Sequence, residues 1–192
     1  MMMCAAVFTG CEGPDAPVPI ENSENNSLEV TGEMYDTGAF RALVPEGWTA
    51  FPIPDVFADE PDAVKTCCFH IIKDGTSAQD VHSKPYIQLE YYGPDTPMPE
   101  PDREQLKNVE DVAPLQLGAH TWIGFIGEDY FGGYGKGTIG RIACLWAEEG
   151  NIQYQAVIRL AFNGQKQKIT LEDEDLQAIL SSVELSDDSL GN

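Results

Sequence analysis

Basic residues are scarce in this chain: 11 Lys and Arg stand against 32 Asp and Glu in 192 residues, a formal net charge of −21. A nucleic-acid-binding surface needs clustered Lys and Arg to neutralise phosphates. Attachment of a protein surface to anionic lipid needs a polybasic patch. The composition argues against both. No apolar run approaches the roughly 20 residues that cross a bilayer, so we expect neither a nucleic-acid partner nor a membrane-spanning helix.

Acidic residues are concentrated at the two ends of the chain. Seven of them precede the first basic residue, Arg41, and seven follow the last, Lys168. The central part is therefore only mildly acidic, which is ordinary for a soluble surface. Hydrophobic residues make up 42% of the chain, enough for a core, and the length fits one domain with a tail.

The first ten residues carry no charge and end at Gly10, directly before Cys11. An apolar stretch that ends at a small residue is typical of an export signal. Residues 8–11, Phe-Thr-Gly-Cys, resemble the lipobox of bacterial lipoproteins, in which the cysteine is diacylated through a thioether and becomes the N-terminus. The resemblance implies lipidation at Cys11 and a lipid anchor on the extracytoplasmic face of the cell membrane. Three consecutive methionines predict that the natural start lies upstream.

The composition then predicts four parts. Residues 1–11 are the lipoprotein signal, and residues 12–34, rich in Pro, Asn, Ser and Glu, are a flexible acidic tether. Residues 35–186 are a single folded domain, and residues 187–192 are a tail.

Cysteines in the domain show no disulfide framework. Cys67 and Cys68 are adjacent in a predicted strand and therefore point to opposite faces. Either of them could pair with Cys144 if their strands are neighbours. We favour the alternative, in which all three are small, buried, unpaired side chains. The chain contains no Cys-x-x-Cys pair, which argues against a zinc or redox motif.

Alternation of apolar and polar residues predicts a sheet joined by hairpins. The predicted strands cover 40–44, 48–53, 66–73, 86–91, one or two within 115–127, 139–146 and 152–160.

Two helices are predicted. Residues 102–111 place Leu106 and Val109 at helical spacing. Near the C-terminus, Thr170 and Asp173 fit a capping box, and an apolar stripe follows at Leu176, Ile179, Leu180 and Val183. These elements predict an α+β fold, with a C-terminal helix and a short second helix packed on a central antiparallel sheet.

Two stretches carry a resemblance to the PsbP-like superfamily. Residues 40–48, Phe-Arg-Ala-Leu-Val-Pro-Glu-Gly-Trp, resemble its opening strand and turn, and residues 176–183 are similar to its closing helix. The resemblance implies a central antiparallel sheet with helices on both faces across residues 35–186. Many bacterial members are exported lipoproteins without known activity, and the family has no catalytic motif to carry over.

No motif of catalysis or metal binding is evident. His70, His82 and His120 lack metal-ligand spacing, and no Gly-x-Ser-x-Gly elbow is present. We therefore expect no catalytic residue, no metal and no cofactor, and a protein that is not an enzyme. The alternative is a surface hydrolase whose site is assembled from residues distant in sequence.

A glycine-rich segment carries three aromatic residues, Tyr130, Phe131 and Tyr134. Aromatic side chains on such a segment supply large contact area at low entropic cost, so we predict a binding loop for a protein or glycan ligand. In the alternative, these rings fold back on the sheet. The sequence thus predicts a membrane-anchored lipoprotein acting in binding or envelope assembly.

Overall fold

The computed structural model describes residues 30–130 and 138–187. Within these ranges, ten strands, one α-helix and two short 3₁₀ segments form. The strands are β1 (Gly32–Asp36), β2 (Phe40–Pro45), β3 (Trp48–Pro54), β4 (Val64–Lys73), β5 (Tyr86–Tyr92), β6 (Leu106–Leu117), β7 (His120–Tyr130), β8 (Thr138–Glu149), β9 (Ile152–Phe162) and β10 (Glu184–Leu185). The helix is α1 (Glu174–Ser181), and the 3₁₀ segments are Ala78–His82 and Arg103–Gln105.

The strands form two antiparallel sheets. The small sheet has the order β1-β2-β10, and the large sheet has the order β3-β4-β5-β9-β8-β7-β6. Strands β6 to β9 follow one another as hairpins, whereas β5 pairs with β9 across a long stretch of sequence. The connection from β5 to β6 therefore crosses the strands between them.

One apolar core joins the two sheets and the helix. The Phe40 ring of the small sheet lies 5.2 Å from the Phe69 ring and 6.3 Å from the Tyr154 ring of the large sheet. Leu176 and Ile179 of α1 are fully buried in the same core. The predicted apolar stripe of the helix therefore does pack against a sheet, as amphipathic spacing requires.

Two side chains at the start of β7 fix the C-terminal end of α1. The Trp122 indole N–H donates to the Leu180 carbonyl at 3.3 Å, and His120 Nε2 lies 2.7 Å from the Val183 carbonyl. Because a carbonyl only accepts, this His120 nitrogen carries the proton. The first bond satisfies one of the carbonyl groups that a helix end leaves without an intrahelical partner, and the second holds the residue that follows the C-cap Ser182.

The expected α+β class is wrong. The described chain is mostly β, with two sheets and a single α-helix. Residues 103–105 form a 3₁₀ turn, and the predicted second helix is strand β6. The pairing of β6 with β7 shifts register between Lys107 and Glu110 and between Val112 and Leu115. Each irregularity resets which face a residue occupies, so half-buried apolar residues recur every third position and imitate a helix.

Two predicted boundaries also differ. Strand β1 begins at Gly32, within the range assigned to the tether. Helix α1 has Asp173 as its N-cap residue, and the Thr170 N–H donates to Asp173 Oδ2 at 3.0 Å. Only part of the predicted capping box therefore forms, and the helix starts one turn later. Among the described residues, no helix is both long and apolar enough to span a bilayer.

Candidate functional site

The large sheet has one face against the core and one face away from it. On β5, Ile87 and Leu89 are fully buried in the core. The intervening residues therefore point the other way, and we call this second side the outer face. Its β5 residues are Tyr86, Gln88, Glu90 and Tyr92.

Five side chains on the outer face form a hydrogen-bonded group, here called the polar cluster: His70, Gln88, Glu90, Tyr92 and Gln155. His70 Nε2 lies 2.9 Å from Gln88 Oε1. The Gln88 amide and the Tyr92 hydroxyl both donate to the Glu90 carboxylate, and the Tyr92 hydroxyl lies 3.4 Å from Gln155 Oε1.

Strand register brings the polar cluster together. Gln88 pairs with His70 across β4 and β5, and Glu90 pairs with Gln155 across β5 and β9. Residues directly opposite on antiparallel strands have Cβ atoms about 5 Å apart. The cluster therefore depends on the β5–β9 pairing, which joins segments more than 60 residues apart.

Burial sets the protonation of the cluster. It lowers the pKa of His70 and so favours the neutral ring, whose Nε2–H can donate to Gln88. Burial, and then the nearby Glu90 carboxylate, raise the pKa of Tyr92 and keep its hydroxyl protonated as a donor. Burial also raises the pKa of the neighbouring Cys68 thiol, to about 12. These groups thus form an array of neutral donors and acceptors around one carboxylate.

An aromatic strip continues the outer face beside the polar cluster. Trp146 on β8 pairs in register with Gln155, and its ring lies 6.2 Å from the Phe125 ring in a T-shaped arrangement. The Arg103 guanidinium lies 4.5 Å above the Phe125 ring. The Met98 N–H donates to Gln153 at 3.3 Å, so the β5–β6 connection covers one end of this face.

This combination suits a polar, uncharged ligand. A few fixed polar groups orient a ligand, and aromatic surface supplies contact area. Sugars offer both hydroxyl groups for the side-chain amides and an apolar ring face for an aromatic side chain. Four members of the cluster and the Trp146 ring are half-buried and so partly accessible, whereas Gln155 and the Phe125 ring are buried beneath the surface.

The predicted site residues lie mostly elsewhere. Cys11, Phe131 and Tyr134 fall outside the described residues. Tyr130 ends β7, where its backbone pairs with Thr138. The binding-loop prediction therefore stays a prediction.

Histidines and cysteines of the sequence are spread through the fold. His82 is exposed, His120 is buried beside the helix end, and His70 joins the polar cluster. The cysteines 67, 68 and 144 are free thiols. Cys68 is buried as expected, whereas Cys144 is half-buried and Cys67 is exposed. Strands β5 and β9 separate Cys68 from Cys144. That separation is about 14 Å, well beyond disulfide reach.

Sequence reasoning missed four members of the polar cluster. Gln88, Glu90 and Gln155 alternate with apolar residues, which is equally the pattern of a strand with one solvent-facing side. Nothing in that pattern says which strands are neighbours. Within residues 30–130 and 138–187, no three His, Cys, Asp or Glu side chains are grouped as metal ligands.

Comparisons with known proteins show no family for this chain. No family model matches the sequence, and no curated protein matches it. One similar solved structure is a crystal structure from Bacteroides thetaiotaomicron VPI-5482, with 9% identity and a TM-score of 0.44. The similarity covers 81% of this chain and 48% of the other, so this chain spans about half the length of that protein. A similarity at this level says nothing about function.

Proposed function

We propose that this chain is a lipid-anchored, extracytoplasmic binding module whose outer face binds a neutral glycan. The observation that carries the binding proposal is the polar cluster beside the aromatic strip, where amide, hydroxyl and carboxylate groups lie next to an aromatic ring. The anchor rests on the lipobox-like residues that end at Cys11. A non-enzymatic role fits a face that offers fixed hydrogen-bonding groups and contact area.

A glycan array tests the binding proposal. The purified chain lacking lipid is applied to a panel of neutral oligosaccharides, and affinities for any bound glycan are then measured by calorimetry. Replacing one polar group that orients a ligand costs about 1–2 kcal/mol, or roughly tenfold in affinity. We expect that loss for Glu90→Gln, which keeps the shape of the side chain, and a comparable loss for Trp146→Ser.

Gln79→Ala is the control, because Gln79 is exposed on a 3₁₀ segment and belongs to neither the polar cluster nor the aromatic strip. Binding that survives both outer-face variants, or that is absent across the panel, contradicts the proposal. The melting temperature of each variant separates loss of binding from loss of fold.

Metabolic labelling with a palmitate analogue tests the anchor separately. We expect the expressed precursor to carry label and to sediment with membranes, and Cys11→Ser to lose both properties. Cys67→Ser is the control, since Cys67 is an exposed thiol in the folded domain. Label that persists in Cys11→Ser contradicts lipidation at this residue.

A surface hydrolase is the second candidate. The feature that favours it is Glu90, a carboxylate that accepts a hydrogen bond from the protonated Tyr92 hydroxyl within reach of other polar groups. Most glycoside hydrolases, however, use two carboxyl groups, and Glu90 is the one carboxylate of the polar cluster. If the protein releases reducing sugar from a bound glycan and Glu90→Gln abolishes that release, the protein is a hydrolase.

A further inference from the structure

A cleft opens between the first strand of the small sheet and the first strand of the large sheet. It has a volume of ≈ 590 Å³ and is lined by residues 31–35, 44–46 and 48–50. We call it the edge cleft. Strands β1 and β3 are each the terminal strand of their sheet in the described chain. The edge cleft therefore lies where the two sheets end, at strand edges that no other described strand pairs with.

Backbone groups of β1 face this unpaired edge. The Leu43 N–H of β2 donates to Ser182 Oγ at 2.7 Å, on the side away from β1. In an antiparallel ladder, the partner opposite such a residue also points its N–H and C=O away from the pair. That partner is Met34, whose side chain is 45% exposed. Strand β1 thus offers main-chain donors and acceptors to an incoming strand.

The other edge is less suited to pairing. Strand β3 contains Pro52 and Pro54, which have no N–H to donate. An added strand would therefore bond to β1 and lie over the cleft, and its alternate side chains would point inward.

Apolar and aromatic groups form the cleft walls. Trp48 is 6% exposed, and its indole N–H is held by Asp175 Oδ2 at 3.0 Å. The Tyr35 ring lies 4.8 Å from the buried Phe69 ring. These fixed rings, with Val44 beside them, leave a preformed space for an apolar side chain.

The rim of the edge cleft is acidic. Glu33 and Glu46 line it and are exposed, and none of the lining residues is basic. Residues 12–29 of this chain contain five acids and no base, and a second copy also carries a net charge of −21. Both are poor electrostatic partners for this rim. A basic segment is complementary to it.

We propose that the edge cleft binds an extended, basic segment of another protein by strand addition to β1. The main chain of that segment would bond to Met34, an apolar side chain would enter between Tyr35 and Trp48, and flanking Lys or Arg side chains would face Glu33 and Glu46. This site is separate from the outer face.

Fluorescence polarisation with two defined peptides tests the proposal on the full chain lacking lipid. One labelled heptapeptide has a central Phe with a Lys two residues before it and another two residues after it, so that all three side chains share one face of an extended strand. The other peptide carries Glu in place of each Lys. We expect the Lys peptide to bind about tenfold or more tightly than the Glu peptide, with affinity falling as salt is raised.

Two variants locate the binding. Glu33→Gln with Glu46→Gln should weaken the Lys peptide about tenfold. The matched control, Glu104→Gln with Glu172→Gln, removes the same charge from other exposed positions and should leave binding nearly unchanged. Met34→Pro should abolish strand addition, because it removes an edge N–H and blocks the edge. Circular dichroism checks its fold, and the glutamate variants test the proposal even if Met34→Pro fails to fold.

Several results would overturn the proposal. If the double variant at Glu33 and Glu46 and the double variant at Glu104 and Glu172 weaken peptide binding equally, the Lys peptide is attracted only by the net charge of the protein. Failure of the chain to bind either peptide would contradict strand addition at the edge cleft. If sedimentation shows a dimer and the cleft variants dissociate it, the occupant of the edge cleft is a second copy of this chain.

Discussion

Arg159 is a buried cation that has one carboxylate partner among the described residues. Its side chain is 7% exposed, and its Nη2 lies 2.6 Å from Asp129 Oδ2. The guanidinium also lies 5.1 Å from the Phe162 ring. Its Nε and Nη1 have no hydrogen-bond partner among the described residues. Asp129 therefore supplies the counter-charge for a group whose desolvation is costly.

Removing that counter-charge should be strongly destabilising. We expect Asp129→Asn to lower the free energy of unfolding by about 3 kcal/mol, measured by urea denaturation. Glu110→Gln is the control, since Glu110 is paired with Arg141 at 3.8 Å through side chains 76% and 56% exposed. Such exposed pairs contribute less than about 1 kcal/mol. Equal effects of the two substitutions would show that Arg159 does not depend on Asp129.

His70 should make stability depend on pH. Burial lowers its pKa in the folded state, against the opposing effects of its bond to Gln88 and of the Glu90 carboxylate. An unfolded chain takes up this proton near pH 6.5, so below that pH the unfolded state binds more protons and the free energy of unfolding falls. We expect the free energy of unfolding of His70→Gln to fall less than that of the unsubstituted protein as the pH is lowered from about 7 to about 5. Parallel stability curves for the two proteins would contradict this.

At the scale of elements, the turn between β6 and β7 is fitted closely against the end of α1. Gly118 has a φ of +58°, and a Cβ at this position would lie 2.1 Å from the Ser181 carbonyl oxygen. Trp122 and His120, which follow this turn, bond to carbonyls at the same helix end. The β6–β7 turn and the helix are therefore positioned by each other.

A pair of glycine substitutions separates this contact from backbone strain. Gly150 in the β8–β9 turn has a φ of +64°, but a Cβ there meets nothing within 4 Å. Gly150→Ala should lower the free energy of unfolding by about 1 kcal/mol, the cost of placing a residue with a Cβ in the left-handed backbone region. Gly118→Ala should cost at least about 2 kcal/mol more, because the helix end must also move. Thermal unfolding of both variants checks this, and similar losses would mean that the turn is not fitted to the helix.

Across the whole molecule, one core holds together segments from both ends of the described chain. Strands β1 and β2 come early and β10 comes last, yet they form one sheet, and Phe40 of that sheet packs against the large sheet. The fold closes around this core despite a net charge of −21. Mutual repulsion of that charge opposes the compact state.

Salt should therefore stabilise the whole protein. Raising the ionic strength from about 10 mM to about 150 mM shortens the screening length from about 30 Å to about 8 Å. We expect the melting temperature at neutral pH to rise over this range. Near the sequence pI of ≈ 4.2, the net charge is small and the salt effect should be much reduced. A melting temperature that falls with salt at neutral pH would show that attractive pairs outweigh the repulsion.

Several features of the fold were predictable from local pattern. Strand β9 and the buried stripe of α1 follow their apolar periodicity, and both form where that periodicity is cleanest. The helix predicted over residues 102–111 is wrong: Leu106 and Val109 have helical spacing in the sequence, but the register shifts of β6 let residues three apart share one face of a strand. The position of such a shift depends on how β6 pairs with β7, and the apolar pattern of β6 alone does not contain that information.

The candidate site was not predictable in the same way. Glu90 and Gln155 each look like a solvent-facing strand residue, and only the β5–β9 pairing makes them neighbours. The amino-acid sequence by itself determined the charge, the lipobox-like residues at Cys11 and most strand positions, because these depend on composition or on neighbours along the chain. The tertiary structure alone decided which strands share a sheet and where the edge cleft opens. Those outcomes depend on non-local pairing and on a shared core, in which distant segments bury apolar surface together.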